Sequence, residues 1–336
     1  MATRTATKPR KPTIPTSMSA AAIDRYGAPA VLTLHTLPVP QPGRNEVLIA
    51  IHTAGVGVWD ASIRNGSWRP HRRRAKFPLV LGTDGSGTVV ARGAAVTRLK
   101  VGEHAYAYDY ANPKGGFYAE FVAVSETHAA RVPKQLDLRQ AGAVVTTGLT
   151  ALQGVDDALH VRRGETVLVF GASGAVGTLA VQFAKRHGAR VLATASGRDG
   201  VALLRRLGAS GVIDARSKDA EAQLRKLAPD GLDAVLALAS GSALERFLKH
   251  VGPGGRVAYP NGVEPEPRHR PKIRFTAYDA KVGPREFARL DLAANQAKLR
   301  VPIAAAYPLA QTAKAHARLE KGHILGRIVL RAYGGK

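Results

Sequence analysis

The sequence predicts an α/β protein in two parts, a β-rich domain followed by a doubly wound parallel sheet with helices on both faces. Three observations predict this. A chain of 336 residues exceeds a typical single compact domain and suits two. Up to about residue 132, short apolar runs are broken by Gly and Pro. After about residue 140, apolar strands alternate with helical periods.

In the first part the runs VLTLHTL, EVLIAIHTAGV, GTVVAR, HAYAYDY and YAEFVAV are spaced for a compact barrel or sandwich. In the second part strands are expected at Thr166–Phe170, Arg190–Thr194, Gly211–Asp214, Asp233–Leu238 and Gly255–Tyr259. Helices are expected over Ala175–His187, Gly200–Leu207 and Ala243–His250. That alternation is the pattern of a parallel sheet covered on both faces. Beyond Asn261 comes a connector rich in Pro and Arg, and then a last apolar run, Gly326–Arg331. The run has no partner of its own and is expected to return to the first domain. Residues 1–17 are basic, rich in Thr and Pro and free of acids, which predicts a disordered tail, with a transit peptide as the rival reading.

Composition narrows the function classes. Cysteine is absent, which excludes disulfides, thiolate ligands and a cysteine nucleophile. No apolar run approaches the ~20 residues that cross a bilayer, so no membrane partner and a cytoplasmic home are expected. The formal charge of +24 raises the question of nucleic acid. The basic residues are scattered, however, and the densest cluster, Arg69–Arg74 followed by Lys76, lacks interleaved aromatics. A nucleic-acid partner is therefore disfavoured.

The sharpest local signal is Gly171-Ala-Ser173-Gly174-Ala175-Val176-Gly177, after a strand and opening a helix. This is the context of a dinucleotide-binding turn. Glycines let the backbone approach a pyrophosphate, and the helix N-terminus offers unpaired N–H groups and partial positive charge. No Gly-Lys-Ser/Thr follows, so the turn is not a mononucleotide P-loop. The unit is thus a Rossmann domain. About 20 residues on, where NADH sites place an acid for the ribose 2′-OH, stands Ser196, with Arg198 two residues later. A hydroxyl can donate to a 2′-phosphate and a guanidinium can neutralise it, which predicts NADPH.

Several motifs in order resemble the medium-chain dehydrogenase/reductase superfamily, in its quinone oxidoreductase branch. They are the opening Ile23–Leu32, Glu46–Val56, Phe77–Gly87, Thr147–Ala151 and the closing His323–Leu330. The resemblance implies a GroES-like catalytic domain over 18–136, completed by 264–336, and a Rossmann domain over 137–263. Zinc-dependent relatives ligate their catalytic metal with Cys, His and Cys; the matching positions are Gly57, Thr83 and Ala143, so no metal is expected. The activity implied is zinc-free hydride transfer from NADPH to quinones or α,β-unsaturated carbonyl compounds. An enoyl-thioester reductase and a non-catalytic nucleotide or RNA binder are the alternatives. Relatives also suggest a homodimer or homotetramer.

Site residues follow from the same matches. Thr147 and Val176 are expected against the nicotinamide, or in the core of the domain seam. Trp59 and Asp60 are expected to face the cleft: Trp59 to stack on a flat acceptor, Asp60 to relay a proton or order its loop. Many relatives carry Asn where Gly57 stands. Tyr108 and Tyr110 are alternative proton donors, and solvent is a third. Ser240 and Tyr259, at strand ends, are expected to close over the cofactor. Arg216 follows Ala215, where relatives offer Tyr to the 2′-phosphate, and either substitutes for it or is a surface charge.

Overall fold

The computed structural model describes residues 14–68 and 76–332. The Arg69–Arg74 cluster and most of the basic tail lie outside the described residues. The described chain starts at Ile14, and Ser17 already opens a strand, slightly before the expected start at Met18.

The β-rich part contains β1 (Ser17–Ile23), β2 (Thr33–Pro38), β3 (Glu46–Val56), α1 (Val58–Asn65), β4 (Leu79–Val80), β5 (Asp84–Arg92), β6 (His104–Tyr108), β7 (Phe121–Ser125) and β8 (Ala129–Arg131). Then follow α2 (Leu138–Gln153), β9 (Thr166–Phe170), α3 (Ala175–Arg186), β10 (Arg190–Ala195), α4 (Gly197–Arg206), β11 (Gly211–Asp214), α5 (Ala220–Leu227), β12 (Leu232–Ala237), α6 (Ser242–Phe247) and β13 (Val251–Pro260). The chain closes with β14 (Arg274–Tyr278), α7 (Pro284–Ala297), β15 (Ile303–Pro308), α8 (Thr312–Glu320) and β16 (Arg327–Arg331).

A six-stranded parallel sheet runs in the order β11-β10-β9-β12-β13-β14. Its strands are apolar on both faces because helices cover both. Val167, Val169, Val191 and Leu236 enter one apolar cluster; Leu168, Leu192, Val235 and Val257 enter the other. The β-rich part makes a three-stranded sheet, β2-β1-β4, and a seven-stranded one, β15-β16-β3-β5-β6-β8, with β7 also on β3. The closing run behaves as expected: β16 pairs antiparallel with β3, placing Ile328 opposite Val56.

Helix α2 joins the two parts. A reciprocal cap starts it: the Gln140 N–H donates to Asp137 Oδ1 (2.7 Å) and the Asp137 N–H to Gln140 Oε1 (3.1 Å). Every residue from Ala141 to Gln153 is buried, since α2 packs on β3 and β5 on one side and on α3 and α7 on the other.

The return to the first domain comes later than the expected boundary at 263. Strand β14 extends the parallel sheet, with Arg256 to Pro260 paired with Arg274 to Tyr278, and α7 packs on α3. The Pro- and Arg-rich connector hid a five-residue edge strand. Strands β15 and β16 and helix α8 rejoin the β-rich part, and α7 also touches it, Phe287 lying edge-on to Tyr106 at 5.1 Å. Helix α4 also starts three residues early, at Gly197, which puts Asp199 in its first turn.

One buried polar chain ties α1 to α8. Arg64 donates through Nε to Gly27 O (2.9 Å), through Nη1 to His316 Nδ1 (3.0 Å) and through Nη2 to Glu320 Oε1 (2.5 Å). That leaves His316 Nε2 to donate to Tyr118 Oη (3.2 Å), which in turn donates to Asp60 Oδ2 (3.1 Å). Arg64 is buried while Glu320 is 45% exposed, so the stabilisation lies in the buried hydrogen bonds more than in the ion pair. Arg64→Met should lower the unfolding free energy by about 3 kcal/mol. Glu320→Gln should lower it by less than about 1 kcal/mol. Urea denaturation of both variants checks the contrast.

Candidate active site

The glycine turn is built as its sequence requires. Gly171 has φ 79°, a left-handed conformation that costs a side chain-bearing residue energy. Its N–H donates to Thr194 Oγ1 (2.8 Å), and the Ala172 N–H to Thr194 O (3.0 Å), which fixes the turn against β10. A Cβ on Gly177 would lie 2.5 Å from Ala172 Cα, so only glycine lets α3 press this closely on the turn. The N-cap of α3 is Gly174, whose lack of a side chain leaves the first-turn amides of Ala175, Val176 and Gly177 without a side-chain cap. Residues 173–176 are partly exposed, while Gly177 is buried. The turn thus presents donors and a positive helix end to an opening, a fit for a pyrophosphate.

The closing strand approaches the same turn. The Gly326 N–H donates to Ser173 O (2.9 Å), and Gly326 bridges Gly174. The β-rich part and the parallel sheet therefore meet at the glycine turn.

At the end of β3, an added Cβ on Gly57 would fall 2.3 Å from the Trp59 ring, so the indole occupies the space a side chain there would need. Trp59 Nε1 donates to Thr83 Oγ1 (2.6 Å), and Arg327 lies 5.1 Å from the ring centroid, within cation–π range. Arg327 Nη2 also donates to Asp84 Oδ1 (2.6 Å), and Asp84 Oδ2 accepts the Thr146 N–H (3.0 Å). Asp84 and Arg327 are both fully buried, so each needs the other. Glycine at 57, threonine at 83 and alanine at 143 do not fit a catalytic zinc, and the indole fills the place beside the first two. Among the described residues, no group of three His, Asp or Glu side chains converges as metal ligands.

Other expected residues sit differently. Asp60 does not face the cleft. It is fully buried and caps α1, accepting the Gly57 N–H (2.8 Å) and Tyr118 Oη on Oδ2. Burial pushes its carboxyl up to about 7, despite those hydrogen bonds and Arg327. Tyr110 is 46% exposed and stacks on Trp68, with ring centroids 5.9 Å apart, rather than pointing into the interior. Tyr108, by contrast, is largely buried, and burial raises its phenol. Thr147 is buried, with its hydroxyl donating to Ala143 O (2.9 Å); Val176 is partly buried at the turn. Tyr259 is buried in the core and donates to Glu266 Oε2 (3.2 Å), and Ser240 donates to Glu264 O. Both hydroxyls thus hold the loop after β13.

At the second strand end, Ser196 Oγ lies 3.1 Å from His323 Nδ1, and His323 Nε2 lies 3.0 Å from Asp199 Oδ2. Arg198 and Arg216 are exposed, and Asp214 accepts the Arg216 N–H (3.0 Å) and the Gly197 N–H (3.4 Å). Sequence reasoning missed Asp84, Arg327 and His323 as members of these contacts. All three stand in the motifs Phe77–Gly87 and His323–Leu330, but nothing local says which distant side chain each meets.

Residues 43–134 match the alcohol dehydrogenase GroES-like domain, and residues 207–330 match the zinc-binding dehydrogenase family. A rat quinone oxidoreductase is 30% identical over 242 residues, covering 71% of this chain and 72% of its own. A mycobacterial protein solved in complex with NADPH superposes with a TM-score of 0.81 at 29% identity, over 94% of this chain and 100% of that one. An NAD-dependent alcohol dehydrogenase superposes with a TM-score of 0.85 at 30% identity, over the same shares of the two chains.

Asp60 and His316 make a pH prediction with opposite signs. Burial lowers His316 to about 3, helped by the Arg64 charge, so its contribution is present above the unfolded value of 6.5 and is lost as pH falls towards 3. Asp60, raised from 3.8 to about 7, stabilises the fold at low pH and loses that contribution as pH rises through 7. Between about pH 4 and 6.5 the two offset each other. Asp60→Asn removes one, so the variant's stability should fall with acidification more steeply than the wild type, by up to about 1.4 kcal/mol per pH unit. Denaturant midpoints at pH 6.5, 5.5 and 4.5 would show it; parallel profiles would mean that Asp60 is not held neutral.

Proposed function

Since the chain belongs to the medium-chain dehydrogenase/reductase superfamily, in its quinone oxidoreductase branch, we propose that it transfers hydride from NADPH to a quinone or an α,β-unsaturated carbonyl compound without zinc. The observation that carries this reading is the Trp59 indole lying over Gly57 and bonded to Thr83. Gly57, Thr83 and Ala143 lack the thiolate and imidazole groups with which a catalytic zinc would be held to polarise a simple alcohol or aldehyde oxygen. The site suits an acceptor whose conjugation carries the developing charge to a distant oxygen.

NADPH, when bound, supplies the hydride. The residues of this chain do the rest. First-turn amides of α3 hold the pyrophosphate, with Gly171, Gly174 and Gly177 keeping the backbone open to it. Thr147 and Val176 border the nicotinamide. Ser196, Arg198 and Arg216 face the 2′-phosphate, where a hydroxyl and two guanidiniums favour the extra charge. The partly exposed Trp59 offers its remaining face to a flat acceptor. Holding donor and acceptor together is the main catalytic contribution, because orientation alone removes a large share of the barrier. With Asp60 buried and bonded to Tyr118, the product oxygen takes its proton from water.

The test is NADPH oxidation by the purified, chelator-treated protein against a panel of quinones, enones, enals and acyl thioesters. Turnover confined to quinones and enones, unchanged by added zinc, is expected. Zinc-dependent oxidation of alcohols would overturn the zinc-free reading, and turnover of acyl thioesters alone would overturn the acceptor class.

A further inference from the structure

The segment between α8 and β16 reaches across to the nucleotide end of the parallel sheet, and its contacts there are not explained by the fold alone. His323 lies at φ 50°, an uncommon conformation for a residue with a side chain. Arg318 holds it there, donating through Nη1 to Gly322 O (2.9 Å) and through Nη2 to His323 O (3.2 Å). The imidazole so placed touches two of the polar side chains that follow β10, Ser196 through Nδ1 and Asp199 through Nε2. Gly326, three residues on, is bonded to the glycine turn itself. One short segment therefore spans the distance from pyrophosphate turn to ribose position.

We infer that His323 is the residue by which the β-rich side of the cleft recognises the 2′-phosphate of the cofactor, and that it also masks Asp199 from a 2′-hydroxyl. The inference rests on the NADPH reading above and adds to it a specificity residue from outside the Rossmann unit.

The chemistry is direct. A phosphate seated on Ser196 Oγ meets Nδ1 of His323. Asp199 accepts from Nε2, which leaves the ring able to take a proton at Nδ1 and donate it to a phosphate oxygen. With hydrogen on both nitrogens, the ring lies between the two anions and donates to each, its single charge shared between them. Without His323, Asp199 would present in the first turn of α4 a carboxylate whose Oδ2 has lost its partner, Oδ1 still accepting the Gly200 N–H (2.9 Å). Such a group repels a phosphate and accepts from a ribose hydroxyl, the arrangement that selects NADH. The hydrogen bond from His323 holds the Asp199 carboxyl below the usual carboxylate range, in keeping with a used acceptor. Asp214, the neighbouring carboxylate, is turned to the backbone amides of Gly197 and Arg216. The His323 and Asp199 side chains are 37% and 59% exposed, so a ligand can reach both.

The experiment compares kcat/KM for NADPH and NADH in the wild type, His323→Leu, Asp199→Asn and the double variant. Affinity for 2′,5′-ADP and 5′-ADP is measured alongside as a readout free of turnover. In His323→Leu the NADPH:NADH ratio should fall by about tenfold or more, with NADH improving as NADPH worsens. Binding of 2′,5′-ADP should weaken while that of 5′-ADP does not. Adding Asp199→Asn to His323→Leu should restore part of the NADPH preference, because the unmasked charge is gone. A wild type that prefers NADPH and keeps its ratio in His323→Leu overturns the inference and leaves the NADPH reading intact. So does an equal loss with both cofactors, which would mark His323 as a strut only. A wild type that prefers NADH overturns the NADPH reading itself.

Discussion

The close approach of α3 to the turn after β9 sets the geometry of everything around it. Gly177 lies so near Ala172 that one methyl group would force the helix away. Held there, the helix directs its uncapped first turn at the opening, and residues 171–174 have nowhere to go but around that opening. The closing strand then registers on the turn through Gly326 and Ser173, and β16 carries Arg327 to Asp84 one residue later. A single backbone contact distance thus aligns the glycine turn, a domain seam and a buried ion pair.

On the other side of the cleft, the corner at the end of β3 is filled by packing. Gly57 and Trp59 fit each other: the missing Cβ makes room for the indole, and the indole supplies what that corner would otherwise lack. Thr83 gives the ring a hydrogen-bond acceptor, and Arg327 lies over its face. Arg327 Nε and Nη1 are buried with no hydrogen-bond partner among the described residues, so the ring face and Asp84 compensate a guanidinium that water cannot reach. Asp60, beside them, follows another route: burial pushes its carboxyl up to about 7, so that below that pH it is buried as the neutral acid, its Oδ1 unbonded among the described residues. A neutral acid costs far less to bury than an anion.

Much of this was legible in the chain. Short apolar strands and helices with period 3.6 alternate cleanly from Thr166 to Tyr259, and the glycine turn is local chemistry that needs no distant partner. The GroES-like part was legible through its ordered motifs. What escaped was long-range or weakly marked. Strand β14 is five residues long and follows a Pro-rich connector, so its periodicity is too short to register. Asp60 reads as a cleft residue because it follows the strand end, yet α1 turns it inward, and its hydrogen-bond chain runs through Tyr118 and His316, the latter bonded to Arg64 252 positions away. Tyr259 and Ser240 do sit at strand ends as expected, but a loop after β13 draws in their hydroxyls. No pattern in the sequence announces such pairings, because they are decided by which faces of distant elements meet.

The account stands or falls on where the dinucleotide sits, and amide hydrogen exchange of the full chain with and without saturating NADPH asks that directly. Protection should appear together in the first turn of α3, at Ser196–Asp199 and in the 322–326 segment. Exchange unchanged at all three, or protection elsewhere in the chain only, would contradict it.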